Sequence, residues 1–254
     1  MFAIDFPPIS HLVEWPDIFF EGTWYAVNKI VILYWVSALI VFGFVWLAGR
    51  NFKLVPSGLQ SIGESFYGFI QKGIILETMG PSGLAYTPFL GTLFGFIFVG
   101  NIWGIIPGIQ MPVNARMGLP IFLALMVWLI FVVVGFAKQG PRYLTNTLFP
   151  PGVPKALYLL VTPIEFVSTF LVRPFSIAVR LFANMLAGHL LLVSFAVICA
   201  ALVKTGGLAL AILPFSFGLL VGLTAFELLV CFLQAFIFTV LAAVYIGSSM
   251  HAEH

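Results

Sequence analysis

The sequence predicts an all-α polytopic membrane protein, and composition and pattern both support this. Hydrophobic residues make up 61% of the 254 residues and charged residues only 8%, whereas soluble domains are about 25% charged. The apolar residues form several stretches of about 20 residues or more, the length that a helix needs to cross a bilayer. A formal net charge of +2 gives no indication of a nucleic-acid partner. Cys199 and Cys231 lie in apolar stretches as small hydrophobic residues.

The first span sets the orientation. Residues 1–29 are acidic and lack the basic start of a cleavable signal peptide. The positive-inside rule predicts that they form an external N-terminal segment. The span itself covers 30–49 and is followed by Arg50 and Lys53. The positive-inside rule places these two cations in the cytoplasm.

The next stretch, residues 56–76, differs from a span because Glu64 and Lys72 interrupt its apolar residues. This pattern predicts an amphipathic helix on the cytoplasmic surface. The following elements are a second span at 86–106, a third span at 119–137, and a basic loop at 138–160 that is predicted to be cytoplasmic.

Two apolar stretches at 163–203 and 208–250 are too long for ordinary spans. Each exceeds 40 residues, or about 60 Å as a helix, which is about twice the hydrocarbon thickness. Each could form two spans, but Pro174 and Pro214 are the only internal breakers and no polar turn separates the halves. We favour two long, strongly tilted helices that form a hairpin at 204–207, with a cytoplasmic C-terminus. Lipid alone does not favour such tilt, so a curved protein partner is expected.

Arg180 lies in the middle of the first long stretch. Arginine stays ionised, and a charge at this depth costs about 3 kcal/mol on insertion scales. Acidic residues are absent at the i±3 and i±4 positions of its own helix, so a counter-charge is expected on another subunit. A purely structural role therefore fits Arg180 poorly, and we predict a functional one.

Other polar residues surround Arg180 at defined helical positions. Arg173 and Asn184 lie about 20° and 40° from it around the helix and share its face, whereas His189 is about 180° away. Arg173 and Glu165 are predicted to form a polar route to the cytoplasm.

The second long helix carries Glu227 and Gln234 on one face. If Gln234 lies beside Arg180 in an antiparallel hairpin, Glu227 falls within about 3 Å of the level of His189. Histidine titrates near neutrality and a carboxylate can relay a proton, so His189 and Glu227 suit a proton path. The arrangement predicts two offset half-paths with a fixed positive charge between them.

The remaining polar residues also have structural explanations. His189 and Glu227 could satisfy each other as a packing pair, and Arg173 could extend to the cytoplasmic interface. Glu165 could be a favourable charge at a helix N-terminus. Asn184 and Gln234 could form an interhelical hydrogen bond. A secondary transporter or channel for a small anion is an alternative function, although the chain shows no internal repeat. A membrane-embedded enzyme is a third, supported only by one His and one Glu.

Three segments resemble subunit a of the F-type ATP synthase. The family's R-L-F-x-N-x-x-A-G signature is similar to PFSIAVRLFANMLAGHLLL, its closing helix to LQAFIFTVLAAVYI, and its N-x-x-G-x-x-P segment to VGNIWGIIPG. Their order and spacing agree over about residues 85–250, and the N-terminal third matches mainly in topology. The family fold has five transmembrane helices, the last two long and tilted.

The resemblance implies site residues. These are Arg180 as the arginine that faces the rotating ring of c subunits, Asn184 and Gln234 as its polar neighbours, His189 and Glu227 as the channel pair, Arg173 at a basic position, and Glu165 near a cytoplasmic acidic position.

The resemblance also implies the function and the partners. The chain would be the proton-translocating stator subunit in a bacterial plasma membrane, next to the c-ring, peripheral-stalk b subunits and other ATP synthase subunits. It implies no cofactor and no metal. Nothing resembles a glycine-rich phosphate-binding loop, so the chain itself is not expected to be a nucleotide-binding catalyst. The choice between H⁺ and Na⁺ would lie with the ring.

Overall fold

The computed structural model describes residues 17–20, 26–50, 53, 55–106, 108–149 and 157–250. Within them, five helices are long and apolar enough to cross a membrane, namely Lys29–Gly49, Pro81–Ile102, Gly118–Gln139, Tyr158–Thr205 and Leu213–Met250. The predicted all-α polytopic fold is therefore confirmed. Most of the predicted external segment 1–29, residues 150–156 of the predicted loop and residues 251–254 lie outside the described part.

The elements follow in chain order. They are β1 (Asp17–Phe19), β2 (Val27–Asn28), α1 (Lys29–Gly49), α2 (Leu59–Ile70), a π turn (Gln71–Ile75), α3 (Leu76–Thr78), a 3₁₀ turn (Pro81–Tyr86), α4 (Thr87–Ile102), a 3₁₀ turn (Val113–Ala115), α5 (Gly118–Gln139), α6 (Arg142–Leu148), α7 (Tyr158–Val167), a second π turn (Ser168–Val172), α8 (Arg173–Thr205), a 3₁₀ turn (Gly207–Ala211) and α9 (Leu213–Met250).

A short hairpin precedes the first span and was not predicted. β1 pairs antiparallel with β2, with Asp17 opposite Asn28. The Asn28 side chain then caps α1, because its Oδ1 accepts hydrogen bonds from the N–H groups of Ile30 and Val31, both at 3.1 Å. Such a cap satisfies donors that the first helical turn leaves without partners.

Three predicted boundaries need correction. The fifth span was predicted to begin at 208, but α9 begins at Leu213, after the 3₁₀ turn. The second span was predicted to reach residue 106, but α4 ends at Ile102. Gly104 follows in a turn, where an added Cβ would lie only 3.0 Å from Pro112, so the loop folds back closely there. The fourth span begins at Tyr158 rather than at 163, which places Pro163 inside α7. A proline there removes one helical hydrogen bond without ending the helix.

Two glycines make the turn between the long helices. Gly206 and Gly207 have φ angles of 66° and 57°, in the left-handed region that glycine enters without steric cost. The turn lies within the predicted hairpin segment 204–207, after α8 ends at Thr205.

The chain divides into two compact units, which are residues 1–40, 96–116 and 182–234 for unit 1, and residues 41–95, 117–181 and 235–254 for unit 2. Buried polar contacts organise unit 1. Trp103 Nε1 donates to Ser37 Oγ at 2.7 Å, and Asn114 Nδ2 donates to Asn101 Oδ1 at 2.6 Å. Asn101 is thus buried in a side-chain pair.

Unit 2 has a mainly aliphatic core, with aromatic contacts between α2 and α4. The rings of Phe66 and Phe69 in α2 each lie 5.7 Å from Phe94 in α4. The polar side of α2 carries Gln60, whose Nε2 donates to Glu64 Oε1 at 2.7 Å. Helix α2 therefore packs Phe66 and Phe69 against α4, whereas Tyr67 is exposed. Its polar residues lie together on another side, as in an amphipathic helix.

Candidate functional site

A hydrogen bond within unit 1 joins α8 to α9. Asn184 Nδ2 donates to Gln234 Oε1 at 2.8 Å. Gln234 is 2% exposed, whereas Asn184 is exposed. A buried amide needs such a partner because an unsatisfied polar group in an apolar setting is costly. This bond fixes the level at which the two helices face each other.

The second contact between these helices involves a glycine. The carboxylate of Glu227 lies against Gly188, so closely that a Cβ atom at position 188 would overlap both carboxylate oxygens. Glu227 is 7% exposed. Gly188 therefore provides the space in which a buried carboxylate sits beside the helix.

His189 immediately follows Gly188 in α8 and is 5% exposed. Consecutive helical residues differ by about 1.5 Å along the axis, so His189 lies near the level of Glu227. Unit 1 thus brings four predicted residues into two layers, with Asn184 and Gln234 in one layer and His189 and Glu227 in the other.

Arg180 belongs to unit 2 and is exposed near the start of α8. The residues at i±3 and i±4 are Ser176, Ile177, Ala183 and Asn184, which carry no charge. Ser176 and Ala183 are small and exposed. An exposed arginine with small exposed neighbours leaves room for another helix to approach closely.

Arg173 and Glu165 also lie in unit 2, and both are half-buried. The guanidinium carbon of Arg173 lies 5.2 Å from the ring centroid of Tyr245, within cation–π range. Outside the spans, burial raises the pKa of Tyr143, while the charge of Arg173 acts in the opposite direction. Arg173 is thus near two tyrosines rather than extended away from the protein.

The structure contradicts one explanation of Glu165. This residue was considered as a favourable charge at a helix N-terminus, but α7 begins at Tyr158. Glu165 is seven residues further along, about two turns, and the effect of the helix dipole falls off within the first turn. The helix terminus therefore does not account for this carboxylate.

Comparisons with known proteins agree on a family. A family model described as ATP synthase A chain matches residues 31–247. The chain belongs to this family. It is 41% identical over 249 residues to ATP synthase subunit a of Frankia alni, covering 95% of this chain and 84% of the relative. It is 38% identical over 218 residues to ATP synthase subunit a of Hyphomonas neptunium, covering 86% and 85%.

Membership of the ATP synthase A chain family confirms the resemblance seen in the three motifs. Together with the five apolar helices, it identifies a multi-pass membrane protein associated with ATP synthesis and ion transport. Among the described residues, no three His, Cys, Asp or Glu side chains cluster as a metal site requires. Cys199 and Cys231 are both buried and form no disulfide.

Sequence reasoning about the site overlooked Gly188. The signal was present in the segment AGH, where glycine directly precedes His189. Only the pairing of α8 with α9 shows that the missing side chain accommodates Glu227. A glycine inside a helix usually destabilises it, so a close contact gives a reason for its position.

Proposed function

We propose that this chain is the proton-translocating stator subunit of an F-type ATP synthase, with two offset half-channels at the c-ring. One observation carries the proposal. Arg180 is exposed in the middle of the apolar span Tyr158–Thr205, and the residues at i±3 and i±4 carry no charge that could neutralise it. A charge in that position is favourable only with a partner, and we infer a carboxylate on the ring of c subunits.

The outer half-channel would run past Glu227 and His189. Both are buried, and the contact of Glu227 with Gly188 holds the carboxylate beside the histidine level. Carboxylate and imidazole both exchange protons, which leucine or phenylalanine in their place could not do. A proton that enters here would neutralise the ring carboxylate, and the neutral site could then rotate into lipid.

The inner half-channel would pass Arg173 and Glu165 towards the cytoplasm. After nearly a full turn, the ring carboxylate would release its proton on this side and meet Arg180. Arginine does not lose its proton, so Arg180 attracts the carboxylate without conducting protons between the half-channels. Each charge that crosses gains about 2.3 kcal/mol per 100 mV, so several are needed for each ATP.

The orientation and the wider assembly belong to the same proposal. The N-terminus would lie outside and the C-terminus in the cytoplasm of a bacterial plasma membrane, with α2 on the cytoplasmic surface and α8 and α9 tilted along the ring. Peripheral-stalk b subunits and the remaining synthase subunits would hold the chain still while the ring turns.

Replacing Arg180 tests the proposal in the assembled complex. Arg180→Ala should abolish ATP-driven proton pumping into membrane vesicles while the subunit remains in the membrane. Lys204→Ala is the matched control, because Lys204 is a cation at the other end of α8, and this variant should pump normally. Normal pumping by Arg180→Ala would contradict the proposal, and ion transport by the purified chain in liposomes would favour a transporter instead.

A further inference from the structure

The second π turn interrupts the long helix between Glu165 and Arg173. At its end the N–H of Arg173 donates to the carbonyl of Ser168, five residues back. The following residue is Pro174, which has no N–H and whose ring would clash with the carbonyl of Phe170 in α geometry. The wider turn therefore has a cause in the sequence.

Thr169 supports this local widening. It is 1% exposed, and its Oγ1 has no hydrogen-bond partner among the described residues. Helical threonines commonly donate to the carbonyl four residues back, as Thr239 does to Ala235 at 2.8 Å. Thr169 does not do so in the widened turn.

The π turn changes which residues share a face with Arg173. Glu165 is eight residues before Arg173, which in an unbroken α-helix would separate them by about 80°. A π turn fits one extra residue into a single turn, so the eight residues from Glu165 to Arg173 rotate about the helix axis only as far as seven α-helical residues do. Glu165 then lies within about 20° of Arg173 around the helix. Arg180, seven residues after Arg173, is offset by another 20° or so.

We propose that this π turn positions Glu165 in one stripe with Arg173 and Arg180. It absorbs one residue of the chain, so that the carboxylate faces the same path as the two arginines. The assignment of Glu165 to the inner half-channel rests on the proposed function. The alignment of Glu165 with the two arginines is a property of the helix and does not.

Burial along α7 agrees with this phase. The π turn places Tyr158 and Val161 on the stripe with Glu165, and all three are half-buried like Arg173. An unbroken α-helix would instead place Leu159, Thr162 and Phe166 there. Thr162 is half-buried, but Leu159 and Phe166 are 89% and 50% exposed, as expected for apolar side chains that face lipid.

Aqueous labelling of single cysteines tests the alignment directly. In assembled complexes with Cys199 and Cys231 replaced by alanine, a water-soluble maleimide should label Val161→Cys and Glu165→Cys. Leu159→Cys and Phe166→Cys should be labelled at about one tenth of that rate or below, because a thiolate forms only where water reaches it. Equal labelling at all four positions, or faster labelling at 159 and 166, would overturn the proposal.

Two matched deletions test whether the π turn absorbs a residue. Removing the exposed Leu171 from the π turn, together with Pro174→Ala so that the shortened turn can adopt α geometry, should leave an α-helix with the same alignment, and pumping should stay of the same order. Removing the exposed Ser176 rotates Arg173 against Arg180 by about 100° and should abolish pumping. Loss of pumping on deletion of Leu171, in complexes that assemble, would overturn the proposal. If labelling follows the stripe but Arg180→Ala still pumps, the alignment stands and the proposed function fails.

Discussion

The polar residues of unit 1 and those of unit 2 are positioned in different ways. In unit 1, Asn184 and Gln234 face each other from two helices, and Glu227 occupies the space left by Gly188. In unit 2, Glu165 and Arg173 follow one another along a single interrupted helix and are only half-buried. The first arrangement depends on how two helices pair, whereas the second depends on the direction in which each residue points around one helix axis.

This difference has a physical basis in burial. A buried carboxylate or amide loses water and must be compensated by protein groups at fixed distances. A half-buried side chain keeps access to water, so it needs only to point towards the proposed proton path. Substitutions at Glu227 and Gly188 in unit 1 should therefore be more damaging than a substitution at the half-buried Glu165 in unit 2.

The largest effect should come from the buried carboxylate. Glu227→Gln keeps the shape but an amide does not carry a proton, so ATP-driven pumping should fall by about 100-fold or more. Glu77→Gln is the control, because Glu77 is an exposed carboxylate in α3. Pumping by Glu227→Gln at the unmodified rate would break the comparison.

A methyl group at Gly188 should have the next largest effect. Gly188→Ala displaces the Glu227 carboxylate, and a misplacement of about 1 Å at a reacting group costs up to about 100-fold. Adding Glu227→Asp withdraws the carboxylate by one methylene and should restore part of the pumping. Gly222→Ala in α9 is the control, since nothing lies within 4 Å of its added Cβ. An unchanged pumping rate in Gly188→Ala would show that the close contact between Gly188 and Glu227 is unimportant.

A smaller effect is expected at Glu165. Glu165→Gln should slow pumping severalfold, less than Glu227→Gln does, because water can reach this half-buried position and carry protons in its place. Vesicle pumping rates of the two variants, measured side by side with Glu77→Gln, check the order. Equal losses at Glu165 and Glu227 would contradict the distinction between the two units.

The smallest effect should be the loss of unfolding free energy when the hydrogen bond between Asn184 and Gln234 is removed. Removing either side chain with Asn184→Ala or Gln234→Leu, and then both, should give a coupling free energy of about 0.6 kcal/mol, the usual value for interhelical hydrogen bonds in membranes. Reversible unfolding of the four variants in detergent measures it. Additive losses would show that the hydrogen bond contributes nothing.

Much of this architecture could be read from the sequence because apolar length and charge are strong signals. The five spans, the expensive charge at Arg180 and the facing of Asn184 and Gln234 all follow from periodicity and helical rise. The antiparallel register also placed Glu227 near the level of His189, where the structure shows it against the preceding glycine.

The sequence did not reveal features that depend on non-local packing or on a local departure from α geometry. The role of Gly188 requires knowledge of what α9 presents to it. The π turn before Pro174 shifts the helix phase by one residue, and an analysis at a constant 100° per residue misses this. The early start of α7, with Pro163 inside it, was missed because proline is more often a boundary.

Passive proton conductance gives the most direct test of the role assigned to Arg180, a fixed charge that separates two proton paths. In vesicles with assembled complexes and no ATP, an imposed pH gradient should decay faster with Arg180→Ala than with the unmodified chain. The proton paths on its two sides would then communicate. A gradient that decays equally slowly in both would contradict this account.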